Sequence, residues 1–80
     1  MPDASANTRI LLELARARAR SLYVEGVEWR VYELPAGLYD RRDSPSLVFE
    51  ASDAFRRIRG FPDNWRELSD EALYAVSLRP

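Results

Sequence analysis

Apolar and polar residues alternate along the chain with two different periods, and each period predicts its own kind of element. From Asn7 onward Ile10, Leu11, Leu14, Ala15 and Ala17 recur at three- and four-residue spacings, the mark of an amphipathic helix. Asn7 or Thr8 can cap it, and Arg9–Glu13 and Glu13–Arg16 are spaced to pair along its surface. The Ala15–Arg20 tract of alternating Ala and Arg has period two, but Ala is a poor strand former, so the tract is read as helix.

The period then shortens to two. Ser21 to Val24 reads as a short strand, Glu25-Gly26 as a tight turn, and Val27 to Leu34 as the clearest strand of the chain. Val27, Trp29 and Val31 share one face of it; Glu28, Arg30 and Tyr32 share the other. A loop over residues 35–46 carries Arg41, Arg42 and Asp43 at its centre, near the upper length for a passive connection. Leu47 to Glu50 is a third strand. Ser52 and Asp53 then offer a cap and an acidic first turn to a two-turn helix with Gly60 just past its end. Ser69, Asp70 and Glu71 offer the same to a last helix, with Leu68 and Leu73 at the spacing of a hydrophobic staple.

The expectation is one α+β domain over 7–80, preceded by a disordered stretch over 1–6. Its parts are an N-terminal helix, a three-stranded antiparallel sheet (a hairpin plus a third strand) and two short C-terminal helices on one sheet face. Trp29, Phe49, Phe55, Phe61 and Trp65 are the expected core aromatics. The first helix either covers the sheet of its own chain or docks on another.

Composition supports a folded domain and removes most chemistries. The 80 residues are 46% apolar and 31% charged, a globular balance. Neither Cys nor His is present. That excludes disulfides, thiolate nucleophiles, imidazole bases and Cys- or His-ligated metals. The scattered Gly26, Gly37 and Gly60 form no phosphate loop. Ser44, Ser46, Ser52 and Ser69 have no His, Lys or Cys to activate them. Asp40, Asp43, Asp53 and Asp63 lack EF-hand spacing. No catalytic residue, cofactor or metal is therefore expected. No apolar run is long enough to span a membrane and no signal peptide is evident, so the expected compartment is the cytoplasm.

The formal charge is −1, and all twelve basic residues are Arg. Eight of them fall in three groups: Arg16, Arg18 and Arg20; Arg41 and Arg42; and Arg56, Arg57 and Arg59. If they converge they make a basic patch for an acidic partner or for phosphates; otherwise they are a solvated surface balanced by Asp and Glu.

The string Glu28-Trp29-Arg30-Val31-Tyr32, then Leu47-Val48-Phe49-Glu50, then Phe61-Pro62 with Trp65, Leu68-Ser69-Asp70-Glu71 and Leu73, resembles a group of short uncharacterised bacterial proteins. In those proteins a Trp-bearing strand precedes an LVFES-type strand and a terminal W-x-x-L-S-D-E-x-L helix. The resemblance covers roughly residues 27 to 78 and carries no activity across.

The functional expectation is a non-catalytic protein–protein interaction module, either a homodimer or a small accessory subunit of a larger bacterial assembly. Its contact residues would be the stripe Ile10, Leu11 and Leu14 with Arg16 and Arg20 on the rim. A second contact area would hold Arg41, Arg42, Arg56, Arg57 and Arg59. The alternative is a small nucleic-acid-associated regulator working through the Arg clusters.

Overall fold

A computed structural model describes residues 4–35 and 44–78, with side chains from residue 9 on. Helix α1 (Ala4–Ala17) is followed by strands β1 (Arg20–Val24), β2 (Val27–Leu34), β3 (Ser46–Glu50) and β4 (Phe55–Ile58). A 3-10 turn (Trp65–Glu67) and helix α2 (Asp70–Val76) complete it. The strands form one antiparallel sheet in chain order, β1-β2-β3-β4.

The hairpin stands where period-two alternation places it. Glu25 and Gly26 both take positive φ, 51° and 81°, the two-residue turn whose twist matches the flanking strands. It pairs Val24 with Val27 and Leu22 with Trp29. β3 pairs with β2 as expected, Phe49 opposite Val31 and Val48 opposite Tyr32.

Three expectations are corrected. The helix expected over 52–59 is strand β4, which gives the sheet a fourth strand. Ser52 and Asp53 lie in a turn closed by the Ala51 amide donating to the Ala54 carbonyl at 2.9 Å. Phe55 and Ile58 are three apart, which suits a helix face, but in a strand they point to opposite sides. Phe55 accordingly stands 60% exposed rather than in the core. The second correction is at the Ala/Arg tract. α1 stops at Ala17, where the Arg18 and Ala19 amides donate three residues back to Ala15 and Arg16, the tight closing turn of a helix end. Arg20 thus begins β1 instead of sharing a helix face with Arg16. Third, among the described residues only one regular helix, α2, lies C-terminal to the sheet, with the 3-10 turn ahead of it. At the other end, α1 includes residues 4–6, which the sequence pattern places in a disordered stretch.

The sheet carries a helix on each face. On one side Leu73 and Val76 of α2 join Leu22, Trp29, Val31, Leu47, Phe49 and Trp65 in the larger core cluster. Ser69 caps α2, its Oγ accepting from the Ala72 amide at 3.1 Å. On the other side Leu12, Ala15 and Ala19 pack on Tyr32, Leu34 and Val48. Tyr32 is thereby buried, and α1 covers its own sheet.

Candidate interaction surfaces

Among the described residues, the arginines singled out from the sequence are each held by a different set of partners. Arg16 Nη2 donates to both oxygens of Glu50, at 3.3 and 3.0 Å. Arg20 donates to the carbonyls of Trp65 and Arg66, each at 3.1 Å, and to Asp70 Oδ1 at 3.0 Å. Arg56 lies 4.9 Å from the Trp29 ring centre and 5.7 Å from that of Tyr74, and donates to Ser77 Oγ at 3.1 Å. Arg57 Nε donates to buried Ser46 Oγ at 2.8 Å, and Arg59 to the Ser44 carbonyl at 3.1 Å. Each of these five cations ties together segments distant in sequence. Arg41 and Arg42, with residues 36–43 of the loop expected to present them, lie outside the described residues.

One of these ties is a small network under α1. The Tyr32 hydroxyl donates to Glu50 Oε2 at 2.8 Å, so Glu50 joins Arg16 of the helix to Tyr32 of β2. Burial pushes the Tyr32 phenol up from its ordinary value and the Glu50 carboxylate adds to this, with Arg16 opposing. The Arg16 guanidinium is itself held up by the Tyr32 oxygen first and by Glu50, against its own desolvation. The three side chains brace α1 against the sheet. The residue that sequence reasoning missed here is Glu50. Strand alternation puts it on the face of Val48, and antiparallel pairing brings that face beside Tyr32.

The apolar stripe of α1 is a different case. Ile10, Leu11 and Leu14 are 54%, 44% and 55% exposed, turned away from the Leu12 and Ala15 side that meets the sheet. Beside them runs a groove of about 380 Å³ whose walls include Leu11, Leu14, Glu33, Trp65 and Arg66. The groove exists because β1 begins only opposite Val31, leaving Glu33 of β2 with no neighbour on that side among the described residues. Glu33 accepts from the Trp65 indole at 3.1 Å, and Arg66 lies over the Trp65 ring at 4.4 Å. Arg66 also donates to the Arg18 carbonyl at 2.9 Å. A shallower cleft of about 600 Å³ lies at the hairpin end, with Glu28, Arg30, Glu50 and Asp53 among its walls.

Among the described residues no cluster of His, Cys, Asp or Glu is arranged to hold a metal ion. None of their helices is long and apolar enough to cross a membrane. No protein-family model, curated protein or solved structure matches the chain.

Proposed function

We propose that the protein is a non-catalytic interaction module whose contact surface centres on the outer face of α1. The observation that carries this reading is the exposure of Ile10, Leu11 and Leu14 on a helix whose opposite side is already seated on the sheet. A helix apolar on two sides keeps one for a second surface. The adjoining groove gives that stripe a wall of indole and guanidinium, a composition common at protein contacts. The nucleic-acid alternative has less support, because Arg16, Arg20, Arg56, Arg57 and Arg59 are all engaged within the fold.

The double variant Ile10→Glu, Leu14→Glu tests the reading. Both side chains face solvent, so folding stability should change by no more than about 1 kcal/mol. Association, measured by light scattering for self-contact and by stoichiometric co-purification for a partner, should be lost. A chain that neither self-associates nor holds a stoichiometric partner, or an association unchanged in the double variant, would overturn it.

A further inference from the structure

The geometry points to a second copy of this chain as an occupant of the β1 edge, pairing β1 with β1 about a two-fold axis into one continuous eight-stranded sheet. This rests on the interaction-module reading and names a partner for it.

The two edges of the sheet differ. β4 is four residues long and carries Arg56 and Arg57, the short, charged kind of edge that resists further pairing. β1 reads Arg20-Ser21-Leu22-Tyr23-Val24. Its one charge, Arg20, is turned back onto Trp65, Arg66 and Asp70. In a two-residue hairpin the Val24–Val27 pair closes the ladder, so Leu22–Trp29 and Arg20–Val31 are also hydrogen-bonded pairs. The amides and carbonyls of Ser21 and Tyr23 therefore point away from β2. Among the described residues no helix or loop backbone pairs with them.

These outward groups are self-complementary. With the axis through Leu22, Ser21 of each copy lies opposite Tyr23 of the other, and both pairs exchange two backbone bonds. The small Ser21 leaves room for Tyr23, which is 64% exposed in the single chain. On the other face Leu22 is already fully buried in its own chain, and the stem of Arg20 meets Val24. No like charges face each other.

The same register sets the hairpin turn of one copy level with residues 18–19 of the other. Glu25 of that turn then approaches Arg18 and Arg66, which are joined by the bond from Arg66 to the Arg18 carbonyl. The α1 groove opens on this same side of the sheet, so the second copy would border it. An unrelated extended peptide could use the β1 amides but would not supply this match of Glu25 to Arg18 and Arg66.

The test uses the intact 80-residue chain. Sedimentation should give twice the 9.2 kDa chain mass. Hydrogen exchange by NMR should show the Ser21 and Tyr23 amides becoming protected as concentration rises. Tyr23→Pro removes an outward-facing N–H together with the exposed ring, at a position where an edge strand tolerates Pro. It should weaken the dimer about thirtyfold, the loss of one net backbone bond in each symmetric half. Should that variant not fold, Glu25→Arg should also weaken the dimer, and the amide measurement on the unmodified chain decides alone. A dimer that survives Tyr23→Pro, with the Ser21 and Tyr23 amides of the unmodified chain still open, overturns the edge pairing and leaves the interaction reading standing on α1. A chain that stays monomeric at every concentration overturns the edge pairing too. Loss of every stoichiometric association, self and foreign, would sink both.

Discussion

Arg56 shows how much of this core depends on a residue that sequence patterning assigns to solvent. It occupies the inward-facing slot of β4 opposite Phe49, and its planar group covers Trp29 and Tyr74 while Ser77 Oγ accepts a hydrogen bond from it. Arg56→Ala should destabilise the fold by about 1–2 kcal/mol through lost cation–π contact and stem packing, measurable by urea unfolding. Tyr32 gives a second prediction at this scale. Removing its hydroxyl in Tyr32→Phe should cost about 1 kcal/mol at neutral pH. Because its folded-state value is raised above 10.0, the unfolded chain loses this proton first on the alkaline side. Its contribution is therefore full below pH 10.0 and declines as pH rises through the folded value. Urea titrations on either side of pH 10.0 should show a smaller alkaline loss in Tyr32→Phe than in the unmodified chain. Neither role was legible beforehand. Patterning counts Arg56 among clustered arginines and sets Tyr32 on the strand face opposite Trp29, and only the positions of α2 and α1 give each its surroundings.

At the scale of elements, local chemistry was legible wherever the deciding residues are neighbours in sequence. The Glu25-Gly26 turn and the Ser69 cap are of this kind. Ser69→Ala should cost about 1 kcal/mol. Glu25 is less at ease, since a non-glycine side chain at φ 51° is unfavourable. Glu25→Asn should stabilise the monomer by about 0.5–1 kcal/mol by suiting the turn better. The same change should weaken self-association by removing the charge set opposite Arg18 and Arg66, so thermal melting and sedimentation would move in opposite senses. The strand taken for a helix fails the local rule for a plain reason. Ser52, Asp53 and Gly60 are as good in a hairpin and its exit as at helix ends, and Gly60 takes φ 68° after β4. Two apolar residues in Phe55–Ile58 are too few to fix a period. What settles β4 is pairing with β3, a contact that no window of ten residues contains.

For the molecule as a whole, the α+β class, the hairpin and the third strand followed from pattern. The side of the sheet that α1 takes did not, because Ala15 and Leu14 are both apolar and only packing on Tyr32 and Leu34 chooses between them. The candidate surface divides along the same line. Ile10, Leu11 and Leu14 were recognisable as a stripe, whereas the fate of each arginine depended on carboxylates and carbonyls far away in sequence, such as Asp70 for Arg20. Arginines spent in this way predict weak binding of an oligonucleotide even at low salt, checked by fluorescence anisotropy across a salt series; tight binding that falls steeply with salt would favour the regulator alternative.

The order of strands in the sheet has a temporal side. Each strand lies beside the one made just before it, so sheet assembly can keep pace with an emerging chain and needs no distant segment to be fetched. The helix seated on Tyr32, Leu34 and Val48 is different. Although made before the sheet, it has nowhere to rest until Tyr32 and Leu34 of β2 have been added, and in that interval Leu12 travels uncovered.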